Sequence, residues 1–348
     1  MFEKLIRKHL LDLKPYSSAR EEYTGKLGVF LDANENPLGS ATEADYNRYP
    51  DPLQRQLKST VAAIKGVEVD QIFLGNGSDE PIDLLIRAFC EPEIDHILIC
   101  PPTYGMYKVS ADINKVAIKE VPLTSAFKLD QGALLQAISP NTKIIFFCSP
   151  NNPTGNLLDP GVMLEVMKAT QGIVVIDEAY IDFIPDASML KELKNHTRLV
   201  VLQTFSKAWG LAGLRLGMAF AHPGLISILN RIKPPYNISA PTQLLAAEAL
   251  NNRAKMLAMV RTILDQKAWL VRALARLSSV REVYPSDTNF ILVKTTDAKK
   301  LYMDLIDQKV IIRNRSNVYL CGDCLRVSVG TQAENRQLIA AWKAVEKD

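Results

Sequence analysis

Five short apolar runs along this chain are each followed at once by a polar segment rich in glycine, proline or small residues. Gln71–Leu74 leads into Gly75–Glu80, and Ile97–Cys100 leads into Pro101-Pro102-Thr103-Tyr104. Lys143–Cys148 runs into Ser149-Pro150-Asn151-Asn152-Pro153-Thr154-Gly155, and Gly172–Asp177 into Glu178-Ala179-Tyr180. Leu199–Leu202 precedes Thr204–Gly217. Runs this short and this uniformly apolar read as strands buried on both faces. A helical pattern such as Pro81–Phe89 lies between them, and the alternation of the two signals predicts an α/β fold with a mainly parallel central sheet flanked by helices.

Beyond Pro234-Pro235-Tyr236-Asn237 the pattern changes. A long helical stretch from about Thr242 to Leu277 is followed by Asn289–Val293 and Leu325–Val329, the signals of a smaller α+β C-terminal domain. The first 45 residues carry loop signals and little periodicity. The expected division is an arm over 1–45 that packs on the small domain or a partner subunit, a large domain over 46–236 and a small domain over 237–348. A length of 348 residues suits about two domains, and no internal repeat is evident.

Charge and composition narrow the function classes. With 41 basic and 38 acidic residues the net charge is only +3, and no run of one sign appears, so neither nucleic acid nor a membrane surface is an expected partner. The charged start Met1–Lys8 does not read as a signal peptide, and no stretch approaches the ~20 apolar residues of a membrane span. The five cysteines are then expected to be reduced thiols in the cytoplasm. Cys321-Gly322-Asp323-Cys324 lacks a second ligand pair and reads as a turn between Val318–Leu320 and Leu325–Val327, so no metal site is expected.

In an open parallel sheet the C-terminal strand ends face one crevice, where ligands bind. Ser78, Tyr104, Asn152, Asp177, Tyr180 and Lys207 all follow apolar strands and could meet there. Each has a bland reading alone: Asp177 a cap, Asn152 a turn residue, Tyr104 a core aromatic. As a set they suit a pyridine-based electron sink. A lysine desolvated near positive charge becomes a nucleophile able to form a Schiff base, which is a role for Lys207. Asp177 could keep a ring nitrogen protonated, and Asn152 and Tyr180 could hold a phenolic oxygen. Gly77, Ser78 and Asp79 opening a helix, with Ser206 and Arg215, would bind a phosphate, while Tyr104 could stack on the ring. A dinucleotide site is not expected, because the third glycine of its pattern is Glu80 and the next strand ends at Cys100 rather than an acid.

Ser149–Gly155, Asp177–Tyr180 and Ser206–Arg215 together resemble the pyridoxal-phosphate-dependent aminotransferases of fold type I, over nearly the whole chain. Pro15-Tyr16, Leu31–Pro37, Asn47–Pro52, Gly75–Glu80, Ile311–Arg313 and Cys324–Gly330 are most similar to the class II subgroup of histidinol-phosphate aminotransferases. That resemblance implies pyridoxal 5′-phosphate bound to Lys207 and amino transfer from L-histidinol phosphate to 2-oxoglutarate, with ping-pong kinetics, in histidine biosynthesis. It implies Lys207, Asp177 and Tyr180 as catalytic residues and Arg326 as the contact for the acceptor carboxylate. Arg313 and Tyr16 become candidates for the substrate phosphate, Arg315 leaves the choice of arginine open, and Asn34 would line the same pocket. It further implies a homodimer in which Tyr49 reaches the cofactor phosphate of the opposite subunit. An aromatic-amino-acid aminotransferase, a threonine-phosphate decarboxylase, or a ligand-binding protein without turnover are the alternatives on the same scaffold.

Overall fold

The computed structural model describes residues 2–14, 16 and 28–346. Its larger sheet has seven strands: β1 (Ile72–Asn76), β2 (His96–Ile99), β3 (Ala117–Glu120), β4 (Thr142–Cys148), β5 (Ile173–Asp177), β6 (Leu199–Thr204) and β7 (Leu216–Ala221). Their spatial order is β1-β7-β6-β5-β4-β2-β3. All pairings are parallel except those of β7, which runs antiparallel to both β1 and β6. The expectation of a mainly parallel sheet holds.

Successive side chains of a strand point to opposite faces, and here both faces are covered. Val174, Ile176, Leu199 and Val201 enter one buried cluster, whereas Ile173, Val175, Val200 and Leu202 enter another. Burying each such side chain contributes about 1.5–3 kcal/mol, so an unbroken apolar run is the stable sequence for these strands. Two strands escaped the sequence pattern. β3 is a largely exposed edge carrying Lys119 and Glu120, and the Leu-Gly-Met-Ala-Phe-Ala of β7 has little intrinsic strand preference.

The smaller sheet comprises β8 (Val280–Val283), β9 (Phe290–Thr295), β10 (Arg313–Asn314) and β11 (Cys324–Ser328), all antiparallel, in the order β10-β11-β9-β8. The long helical stretch is two helices, Ala240–Asn251 and Arg253–Leu274, interrupted at Asn252. The partner of β11 across the Cys321–Cys324 turn is β10, not Val318–Leu320, which is itself part of the turn region, with Cys321 N–H bonded to Val318 O at 2.9 Å. Both cysteines are fully buried there.

At the chain start, Arg7, Leu10 and Leu11 pack on the helical layer of the large sheet. Arg7 N–H donates to Ala88 O at 3.0 Å, Arg7 pairs with Glu91 at 3.3 Å, and Arg231 donates to Leu10 O at 3.3 Å. From Gly28 to Tyr49 the chain lies mostly exposed and is stitched to itself. Glu35 accepts from Arg48 and from Tyr49 N–H, both at 2.7 Å, and Asn47 donates to Asn36 O at 2.7 Å.

Candidate active site

Strand register brings the site together. Asp177 at the end of β5 stands beside Cys148 of β4 and Leu202 of β6, so the loops after these strands start from one edge. Because β7 is reversed, its first residues lie at that edge too. Thr204 pairs with Gly217, Asn76 pairs with Leu216, and Gly77 N–H donates to Arg215 O at 2.7 Å. A cavity of about 280 Å³ opens there, lined by Gly77, Ser78, Asp79, Tyr104, Asn152, Asp177, Tyr180, Ser206, Lys207 and Arg215, with Arg315 and Arg326 arriving from the small sheet.

Asp177 is a buried carboxylate, 2% exposed, that none of the described lysines or arginines pairs with as an ion pair. Tyr107 OH donates to its Oδ2 at 2.7 Å and Ala179 N–H to its Oδ1 at 3.1 Å. Burial pushes its pKa up to about 6 against the lowering effect of these two bonds. Lys207 opens into the cavity with Nζ 5.6 Å from the Tyr180 ring centroid. Its pKa is lowered, first by desolvation and then by Arg326 and Arg215, with Asp177 opposing. That is the environment in which an amine is nucleophilic.

The opposite end of the cavity brings together a helix start and a guanidinium. Ser78 precedes the helix Asp79–Phe89 without a side-chain cap, so the helix presents backbone N–H groups and the positive end of its dipole. The Arg215 guanidinium lies so close to Gly77 that a Cβ there would meet Nη2 at 2.6 Å. A Cβ on Gly217 would meet the Gly77 carbonyl carbon and Ser78 N at 2.3 Å, so only glycine allows this crossing. Asp79 joins the walls, accepting from Tyr104 OH at 3.0 Å and facing Arg215 at 3.4 Å. Ser206 is held by Thr204, which bonds its N–H at 3.1 Å and its Oγ at 3.0 Å.

Arg326 bridges the two sheets by donating to Asn152 Oδ1 at 2.5 Å, and its guanidinium lies 5.2 Å from the Phe290 ring centroid. Four expected residues are not brought into this cavity. Arg313 lines an adjoining cavity with Lys309, Glu334 and Arg326, and Arg315 takes the place in the main one. Tyr16 is 73% exposed, Asn34 is an exposed residue at φ 54°, and Tyr49 is half exposed, stacked on Tyr236 at 4.3 Å. Two supporting residues, Tyr107 and Thr204, went unread in the sequence. Tyr107 looks there like any core aromatic on a helix, and only the need of a buried phenol for a partner could have hinted at its role.

This strand-end cavity belongs to a known class. The family model "Aminotransferase class I and II" matches residues 23–341, and the chain belongs to that family. Its relatives narrow the class. The chain is 55% identical to the histidinol-phosphate aminotransferase of Cytophaga hutchinsonii, over 98% of both chains, and 52% identical to that of Parabacteroides distasonis, over 97% of both. The fold also matches the crystal structure of histidinol-phosphate aminotransferase from Sinorhizobium meliloti in complex with pyridoxal 5′-phosphate. The TM-score there is 0.78 at 23% identity, covering 90% of each chain.

Proposed function

We propose that this chain transfers the amino group of L-histidinol phosphate to 2-oxoglutarate, giving imidazole-acetol phosphate and L-glutamate, with pyridoxal 5′-phosphate carried on Lys207. The observation that carries the reading is the donor set of one cavity. Asp177 is a buried acid that none of the described lysines or arginines pairs with, Lys207 is a desolvated amine, and Gly77 with Arg215 forms a cradle at a helix start. These groups fit a flat, phosphate-bearing pyridine ring. The identity to relatives of that name over nearly the full chain supports the choice of substrate.

When bound, the cofactor supplies an electron sink for the negative charge left at the substrate α-carbon. The chain's residues do the rest. Lys207 would hold the cofactor and, as a desolvated amine of lowered pKa, would take and return the proton at the substrate α-carbon. Asp177 would keep the cofactor's ring nitrogen protonated, with Tyr107 fixing the carboxylate. Asn152 has its Oδ1 engaged by Arg326, which leaves its amide N–H groups to donate to the phenolic oxygen beside Tyr180. Ser206, Arg215 and the backbone at Gly77–Asp79 would hold the cofactor phosphate, and Tyr104 would stack on the ring. Arg326 receives the acceptor carboxylate, and Arg313 supports the substrate pocket from the adjoining cavity.

The chain is read as a homodimer. Tyr49 stands outside its own chain's cavity, as a residue serving the opposite subunit would, and Tyr16 and Asn34 share that outlying stretch. The five cysteines are all free and buried, which suits a reducing cytoplasm. Among the described residues no helix is long and apolar enough to cross a membrane.

A donor panel tests the substrate. L-Histidinol phosphate, L-phenylalanine and O-phospho-L-threonine are each offered with 2-oxoglutarate, and the first should win by at least about tenfold in kcat/KM, about 1.4 kcal/mol of discrimination. Stronger turnover of phenylalanine, or release of carbon dioxide from the phosphothreonine, defeats the reading.

A further inference from the structure

Lys207 sits on a loop with little stiffness of its own. Gly210 follows it at φ 69°, with open space where a Cβ would stand, and Gly213 is equally open. The loop folds back on itself, Gly210 N–H donating to Lys207 O at 3.1 Å and Leu211 N–H to Phe205 O at 3.0 Å. Side-chain bonds hold it on either side of the lysine. Before it, Ser206 N–H donates to Thr204 Oγ1 at 3.1 Å. After it, the buried Trp209 donates from Nε1 to Asp182 Oδ2 at 3.0 Å.

Asp182 belongs to another loop of the site. It lies in the single turn Ile181–Phe183, just past Tyr180. Its second oxygen, Oδ1, pairs with Lys65 Nζ at 2.8 Å, and these two side chains are only 14% and 13% exposed, so water screens the pair little. Lys65 ends the helix Arg55–Lys65, whose Leu57 and Val61 are buried in the same cluster as Trp209. One carboxylate therefore joins a helix end, the loop of Tyr180 and the loop of Lys207. A buried indole N–H needs an acceptor, and an ionised oxygen is the strongest available kind.

The two loops so joined face each other in the main cavity, where Lys207 Nζ lies 5.6 Å from the Tyr180 ring centroid. Asp182 itself lines a different cavity, with Lys65 and Trp209. Its influence on the site is thus exerted through the backbone that carries the lysine. Such influence can be large, because a displacement of about 1 Å from a change remote from the chemistry can cost about 100-fold in rate.

We propose that Asp182 is a positioning residue for Lys207, holding the loop of the lysine in register with that of Tyr180 through its bonds to Trp209 and Lys65. This assignment rests on the proposed role of Lys207 as the amine that carries the cofactor.

Steady-state kinetics of the holoenzyme and titration of the apoprotein with pyridoxal 5′-phosphate test it, in Asp182→Asn, Trp209→Phe, the double variant and Trp342→Phe. The last is a matched control. Trp342 Nε1 donates to Ser279 Oγ at 2.9 Å in the core of the smaller sheet, so the same substitution removes the same kind of bond outside the site. Both tryptophan variants should lower the melting temperature. Only Trp209→Phe and Asp182→Asn should lower kcat, each about tenfold, with KM for L-histidinol phosphate within about threefold of wild type. The double variant should fall within about threefold of either single one, because both remove the same bond. Asp182→Asn should raise the dissociation constant of pyridoxal 5′-phosphate about 3- to 10-fold, and in a Lys207→Ala background it should not raise it at all. An unchanged kcat in Trp209→Phe overturns the assignment, as does an equal loss in Trp342→Phe. It is overturned too if the single losses multiply in the double variant, or if the weakened cofactor binding persists without Lys207. A Lys207→Ala protein that binds the cofactor as tightly as wild type defeats the proposed function instead.

Discussion

A carboxylate enclosed at the end of an apolar strand should give up its charge unless something holds it, and Asp177 shows both forces. Burial pushes its pKa up to about 6, while the donors Tyr107 OH and Ala179 N–H pull it back down. Removing one donor therefore has a definite sign. Tyr107→Phe should raise the pKa of Asp177 further and move the acid limb of the kcat profile to higher pH, so that activity falls more at pH 6 than at pH 8. The pH–rate profile of the holoenzyme checks this, and an unmoved acid limb would show that this carboxylate does not govern it. The acid itself was legible in the sequence, since few roles remain for an aspartate closing Ile173-Val174-Val175-Ile176. Its partner was not. Tyr107 reaches Asp177 across 70 residues of chain, and a core aromatic carries no local mark of where its hydroxyl points.

Between elements, the tightest fit is the crossing of β7 beneath the turn that follows β1. A methyl group on Gly217 would need space already held by the Gly77 carbonyl carbon and Ser78 N, 2.3 Å away. Gly217→Ala should push that turn outward, lower stability by about 1–3 kcal/mol as overpacking does, and weaken the phosphate cradle. Thermal melting and a cofactor titration measure the two effects separately, and an unchanged affinity would remove the turn from the binding site. Gly77 was visible as a turn before a helix, whereas Gly75, read with it, is the fourth residue of β1. The strand that presses on that turn was not visible, because β7 is rich in alanine and glycine and forms only through its two antiparallel neighbours. The strands β1, β2, β4, β5 and β6 were each legible for the opposite reason: burial on both faces leaves a run of apolar side chains that nothing else in a soluble chain requires.

At the scale of the molecule, several large apolar side chains stand open to solvent. Val29, Leu31 and Leu38 are 85–93% exposed, and Leu244 is 64% exposed on the helix Ala240–Asn251 beside Leu245 at 46%. Large apolar side chains this open favour a covering surface, in keeping with the proposed homodimer. Sedimentation should give twice the 38.7 kDa chain mass. Paired substitution Leu244→Asp and Leu245→Asp should shift the protein toward monomer and lower both activity and cofactor affinity. A wild-type monomer with full activity would rule the dimer out. The sequence by itself determined the class of fold and which polar residues stand at the strand ends, because the period of burial and the polar residues that interrupt it are local properties. Only the tertiary structure decided that Tyr107 bonds Asp177, that Arg315 shares the cavity with Lys207 while Arg313 lies next door, and that β7 presses on the turn at Gly77 and Ser78. Each of these depends on register and approach between segments far apart in the chain, which no local pattern of residues encodes.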